Sequence, residues 1–119
     1  MLPPENRLRR AQEFRSTIRH GVRAGRPLVV IHVIPGSGSD GAPVRAGFVV
    51  GGAVGGAVVR NAVRRRLRHL LRDRLDGFPP GSRVVIRAQA EAAHTPSPVL
   101  ARDLDQAITR ALARAGNRS

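Results

Sequence analysis

Between Ala57 and Arg68 the chain reads A-V-V-R-N-A-V-R-R-R-L-R, so Arg60, Arg64, Arg65, Arg66 and Arg68 crowd around a single asparagine, Asn61. Guanidinium is a planar, permanently charged fork that grips two phosphate oxygens at once and stacks on bases, and this residue type at this density points to a polyanion. Wound as a helix, Arg60, Arg64, Arg68 and Arg72 fall on one stripe, while Val59, Val63, Leu67, Leu70, Leu71 and Leu75 fall on another. Like charges four residues apart repel, so the stripe serves something other than the stability of its own helix. Asn61 adds neutral donors and an acceptor beside the charges.

Chemistry carried by the chain's own side chains finds little material. The acids Glu5, Glu13, Asp40, Asp73, Asp76, Glu91, Asp103 and Asp105 have no spacing that converges two carboxylates, and they read as solvated surface groups. Cysteine is absent, and His20, His32, His69 and His94 lack the spacing of a zinc set, so neither metal ligands nor catalytic residues are expected in the protein. The stretch G-G-A-V-G-G from 51 to 56 precedes a helix, as phosphate loops do, but lacks their Lys-Ser/Thr ending and their glycine spacing. It predicts a tight strand-to-helix connection. His32 sits mid-strand and is expected to be a buried imidazole with its hydrogen bond satisfied.

The 119 residues carry 21 basic side chains against 8 acidic ones, a net charge of +13, and every basic residue is arginine. That length suits one domain over 1–119, with about six residues at the N-terminus and about four at the C-terminus expected to be disordered. No run approaches the roughly 18 apolar residues of a membrane span, and no secretory core follows Met1, so a cytoplasmic protein with no membrane partner is expected. The charge favours RNA or DNA over a membrane surface, because the apolar side of the basic helix carries no bulky aromatics. Phe14, Phe48 and Phe78 are the only Phe, Tyr or Trp residues, so platforms for stacking bases are few.

The elements that must position these groups follow from periodicity. Ala11, Phe14 and Ile18 predict a first helix from about Arg9 to His20, stopped by Gly21. Leu28 to Ile34 and Val44 to Val50 read as strands; the turn-rich G-S-G-S-D-G-A-P between them predicts antiparallel neighbours. The basic helix is expected to run about twenty residues, to the Gly-Phe-Pro-Pro-Gly stretch at 77 to 81. Arg83 to Ala88 is a third strand with Val84, Ile86 and Ala88 on one face and Arg83 and Arg87 on the other. Pro98 to Ala115 is a last helix with Ser97 as N-cap and Leu100, Leu104, Ala107, Ile108, Ala111 and Leu112 inward. The order α-β-β-α-β-α makes an α+β fold, an α-β sandwich. If the second and third strands pair in parallel across the basic helix, base rates favour a right-handed crossover.

Gly55-x-Ala57-Val58-x-Arg60-Asn61-x-Val63-Arg64-Arg65-x-Leu67-Arg68 resembles the arginine-asparagine-arginine signature of the bacterial ribonuclease P protein subunit. Arg7-Leu8-Arg9 with Glu13-Phe14 and His20-Gly21 is similar to that family's opening helix, and Arg45 to Val50 to its strand before the signature. The resemblance implies a mixed sheet with an extra short strand and a left-handed βαβ crossover, against the base rate. It implies a holoenzyme in which a catalytic RNA, holding Mg2+, removes the 5′ leader of precursor tRNA, with no obligate protein partner. By position it implies RNA binding at Arg60, Asn61, Arg64, Arg65, Arg68, Arg9 and Arg45, and a leader cleft at Phe14, Ile18 and His32. Gly52 and Ala53 stand where the family often has lysines, and Ile18 and His32 where it often has aromatics. Rival readings are a ribosomal-type structural RNA-binding protein and a nucleoid DNA-binding protein.

Overall fold

β-Branched runs with no polar break leave a strand no face to offer to water, and two such runs make the centre of this fold. In the computed structural model, which describes residues 2–37 and 41–116, β2 (Val29–Ile34) is buried from Val29 through Val33. The strand that ends the sheet-forming part of the chain, β4 (Arg83–Ala88), buries Val84, Val85 and Ile86 completely. The two pair antiparallel along their whole lengths, with His32 opposite Val85. Flanking them are β1 (Val22–Gly25), antiparallel to β2, and β3 (Arg45–Val49), parallel to β4, in the order β1-β2-β4-β3.

Helices cover both faces. Leu100, Leu104, Ala107 and Ala111 of α3 (Ser97–Gly116) and Val63, Leu67 and Leu71 of α2 (Ala57–Arg72) bury the face that carries Ala24, Ile31, Val33, Ala46, Val84 and Ile86. The opposite face, with Val30, His32, Val85 and Gly47, lies under α1 (Ala11–His20), whose Thr17 is fully buried. Residues joined across β3 and β4 are therefore connected through α2, as the α+β sandwich with a mixed sheet requires. β1 is the extra short strand.

Several expectations are corrected. The strands before and after the 35–44 connection are not neighbours, because β4 lies between them. A strand apolar on both sides gains most at the centre, whereas β3, with a glycine facing α1 and a half-exposed Val49, suits an edge. α2 stops at Arg72, short of the expected twenty residues: Arg74 turns its guanidinium back onto the Leu70 carbonyl (2.7 Å) and onto Asp105, and a 3-10 turn follows over Leu75–Gly77. Ser97 is inside α3 and caps nothing; the Pro96 carbonyl accepts the first helical N–H groups, from Val99 and Leu100 (both 3.1 Å), while the Ser97 hydroxyl accepts from Arg66. The N-terminus is ordered from Leu2, which is buried in the main core. Asn6 Nδ2 donates to the Val44 carbonyl (2.8 Å) and the Leu8 N–H to Ala46 (2.8 Å), so the segment runs beside β3 as a partial fifth strand. At the other end α3 continues to Gly116, and the rest of the expected disorder lies outside the described residues.

Glu5, Asp73, Asp76, Glu91 and Asp105 are surface groups as expected, but Asp103 and Glu13 are not. Asp103 is buried and receives Arg26 Nε (3.0 Å) and the Leu28 backbone N–H (2.8 Å), tying the β1–β2 turn to α3. Glu13 pairs with Arg45 and Asp105 with Arg74; Asp40 lies outside the described residues. Asp103→Ala leaves a buried N–H without its acceptor and should lower stability by about 2 kcal/mol. Asp105→Ala, at an exposed pair, should cost less than about 1 kcal/mol. Urea midpoints of the two variants, compared at equal m-value, check the contrast.

Candidate nucleic-acid interface

Burying Val63, Leu67 and Leu71 fixes the roll of α2 and turns the signature residues outward, with Asn61 and Arg65 exposed and Arg60, Arg64 and Arg68 half-buried. Val59 does not join the buried stripe; it is exposed above the turn into the helix. That turn needs glycine at 55, where φ is +153° and a Cβ would lie 2.9 Å from a Val59 methyl. The Gly55 carbonyl accepts from Arg60 Nη1 (3.3 Å), and Asn61 Oδ1 accepts from Arg64 Nη1 (2.8 Å), so the asparagine aims a guanidinium. Gly52 and Ala53 make an exposed tip with no cation of its own.

Beside α2, where the N-terminal segment runs along β3, is a cavity of about 160 Å³. It is lined by Ala46, Gly47 and Phe48 of β3, by Phe14 of α1, by Leu2, Arg7 and Leu8 of the N-terminal segment, and by Arg64 and Arg68 of α2. Gly47 makes the close approach possible, since a Cβ there would stand 2.2 Å from Cζ of Phe14. Burial depresses the Arg68 pKa, and the Arg7 and Arg64 charges depress it further. Three cations thus converge on one opening, and no carboxylate of the ion pairs among the described residues belongs to them. Such a site is short of negative charge, and an RNA phosphate would relieve the repulsion.

Other signature-region arginines are occupied. Arg66 donates to Ser97 Oγ (3.2 Å) and to the carbonyls of Ala92 (3.2 Å) and Thr95, pinning the segment before α3. Arg45, expected at the RNA surface, forms a two-pronged pair with Glu13 (2.7 and 3.2 Å), and that hydrogen bond holds the Glu13 carboxyl below the usual carboxylate range despite its partial burial. Arg45 is thereby committed to holding α1 against β3. Arg9 is exposed on the segment leading into α1.

The three expected leader-cleft residues do not share one groove. Phe14 lines the cavity under α2. Ile18 lines a separate groove with Arg15, Arg19 and His20. His32 is 3% exposed on the sheet face that α1 covers, and its expected hydrogen bond is absent: neither ring nitrogen has a partner among the described residues. Burial, then the charges of Arg87 and Arg23, push its pKa below the usual histidine value. Sequence reasoning missed Arg7, Leu8 and Phe48 as site residues. Arg7 lies just past residues expected to be disordered, and Phe48 lines an opening that exists only because β3 is an edge; the alternation of Ala46 and Phe48 was the one available signal.

A family model described as Ribonuclease P matches residues 2–112 of this chain. The ribonuclease P protein component of Streptomyces bikiniensis is 56% identical over 118 residues, covering 94% of this chain and 96% of that protein. That of Streptomyces griseus subsp. griseus is 57% identical with the same coverage. Among solved structures, the RNase P protein of Staphylococcus aureus superposes with a TM-score of 0.76 at 18% identity, over 89% of this chain and 94% of that one. The RNase P protein of Thermotoga maritima does so with a TM-score of 0.73 at 21% identity, over 87% and 96%. At those identities the likeness is one of fold.

The His32 environment has a consequence for pH. Its folded-state pKa lies below the unfolded value of 6.5, so on acidification the unfolded chain takes up the proton first. Stability should therefore fall as pH drops from 7 toward 5, and His32→Leu should remove that part of the dependence and raise stability at pH 5. Thermal melts of both proteins at the two pH values check it; an unchanged slope in the variant would assign the acid sensitivity elsewhere.

Proposed function

Because this chain belongs to the ribonuclease P protein family, we propose that its α2 face binds the catalytic RNA of a ribonuclease P holoenzyme and that the Phe14 side binds the leader of precursor tRNA. The holoenzyme is an endoribonuclease of tRNA 5′ maturation, and this chain is its protein subunit. The observation that carries the binding reading is the convergence of Arg7, Arg64 and Arg68, without a carboxylate, on an opening that also holds Phe14. Arginines on a rigid helix can neutralise phosphates where two RNA segments meet. The aromatic ring next to them can stack one unpaired base of a single strand. Asn61 orients Arg64 at that junction. Hydrolysis itself is assigned to the RNA, and the chain acts in the cytoplasm; among the described residues no helix is long and apolar enough to cross a membrane.

Magnesium in this reading belongs to the RNA. The cavity is lined by three arginines and no carboxylate and would repel a bare divalent ion, so these residues do not fit a metal site. What the protein contributes is phosphate neutralisation, which lowers the magnesium concentration needed to hold the folded RNA.

Mixing the purified chain with a bacterial ribonuclease P RNA and precursor tRNA at low magnesium should restore 5′ maturation that neither component gives alone. Cosedimentation with ribosomes, or equal affinity for duplex DNA, with no such restoration would favour the structural RNA-binding or nucleoid reading. Arg64→Ala with Arg68→Ala should lower the log–log salt slope of assembly by about one to two units, the scale of two phosphate contacts, with the helix content intact. Phe14→Ala should weaken precursor binding by the holoenzyme by about 1–3 kcal/mol and leave mature tRNA unaffected. Equal losses for both tRNAs, with a sharply lower melting temperature, would return Phe14 to the core.

A further inference from the structure

The third cation of the arginine cavity comes from outside the sheet and its three helices. Arg7 belongs to the segment from Leu2 to Leu8, which lies along β3 through an isolated bridge between Arg7 and Ala46 and not through a continuous ladder. The Leu8 N–H donates to the Ala46 carbonyl (2.8 Å), and the Asn6 side-chain amide donates to that of Val44 (2.8 Å). The apolar anchor is Leu2, fully buried in the core, and its carbonyl accepts from Arg7 Nε (2.9 Å). A buried residue thus aims this guanidinium, and with Nε committed the two Nη groups are left for a ligand.

Charge works against this arrangement. The cavity sets Arg7 of the segment against Arg64 and Arg68 of α2, and no carboxylate is in its lining. None of the three is in an ion pair among the described residues, and Glu5, the acid of the segment, is exposed and pairs with none of them. The Arg68 pKa is pushed down by burial, then by the Arg7 charge and then by that of Arg64. Like charges on two separately anchored pieces of chain drive them apart, and one anion between them turns the repulsion into attraction on both sides.

We propose that the segment Leu2–Leu8 is a strap that a phosphate of bound RNA fastens to α2: the phosphate bridges Arg7 to Arg64 and Arg68, and Leu2 is the positioning residue that holds Arg7 at the bridge. Guanidinium forks reaching in from two elements need an anion with oxygens turned to more than one side, which a phosphate has. Phe14 and Phe48 in the same lining offer an apolar face to an adjoining base, so the phosphate of a strand uses more of the cavity than a free ion does. The linkage is reciprocal. A phosphate that binds only the docked strap holds it down, and the docked strap supplies the third cation. The strap presupposes that α2 binds RNA, and it adds that the RNA itself completes part of the site.

The Leu8 amide reports the strap, because its bond to Ala46 exists only when the segment is docked. Its hydrogen exchange is followed by NMR on the full chain in chloride, in inorganic phosphate at equal ionic strength, and with a short single-stranded RNA. Phosphate and RNA should each slow it about tenfold at ten times their dissociation constants, and chloride should not. Arg68→Gln should slow it in chloride already, because a charge that lifts the strap is gone, and should blunt the response to phosphate. Leu2→Ala should speed it and should lower the log–log salt slope of assembly with ribonuclease P RNA by about one unit, as Arg7→Gln should, an effect that lost packing alone would not have. Leu8 exchange indifferent to phosphate and RNA, Arg68→Gln exchanging as fast as wild type in chloride, or a wild-type slope in Leu2→Ala overturns the strap. Protection by phosphate but not by RNA would make this a free-anion site and overturn the RNA bridge. If Leu8 responds to RNA and yet the wild-type chain does not assemble with the catalytic RNA, the strap stands and the ribonucleoprotein reading falls.

Discussion

The burial of β4 on both faces is the constraint from which the rest of the molecule follows. Val84 and Ile86 point to one helical layer and Val85 to the other, so β4 must have a strand on each side and a helix above and below. β2, buried through five residues, is the one partner able to share the centre. β3 is then left to the edge in a parallel pairing, and a parallel pairing obliges the chain to cross the sheet between β3 and β4. The crossing segment is α2. Its placement beside β3, the last strand of the sheet, is what brings Arg64 and Arg68 to Phe14 and to the N-terminal segment that runs along that strand.

Arginine does two jobs in this chain, and its neighbours decide which. Where a carboxylate or a cluster of carbonyls is in reach, the guanidinium becomes a fastener: Arg26 to Asp103, Arg45 to Glu13, Arg74 to Asp105, Arg66 to the segment before α3. Where no acid is in reach, as at Arg64, Arg65 and Arg68, the charge stays uncompensated and faces outward. Asp103 is buried, and Glu13, Asp73 and Asp105 are paired with arginines, so the surface keeps a large excess of positive charge. That imbalance favours association with a polyanion and opposes self-association.

His32 runs against the same economy. An imidazole buried with both nitrogens unpaired costs stability, yet it stands between Arg23 on β1 and the strand that carries Arg87, where a protonated ring would be costlier still. Its surroundings favour the neutral imidazole.

Local spacing in the sequence determined much of this protein. The roll of α2 was legible because Val63, Leu67 and Leu71 recur at helical period. The faces of β4 were legible for Val84 and Ile86, the nucleic-acid-binding character followed from the density of arginines, and the choice of RNA came from the resemblance of the signature. What spacing could not reveal depended on residues distant in sequence. The insertion of β4 between β2 and β3 is a competition for the central position, decided by total burial and not by the loop that joins β2 to β3. Arg45 and Arg64 look alike as letters; Glu13 is 32 residues from Arg45 and meets it only once α1 lies on the sheet. Phe14, Ile18 and His32 share a helical turn or a strand position on paper, but the packing of α1 sends them to a cavity, a groove and the interior. Periodicity reports which way a side chain points from its own element, and only the packed structure settles what stands in front of it.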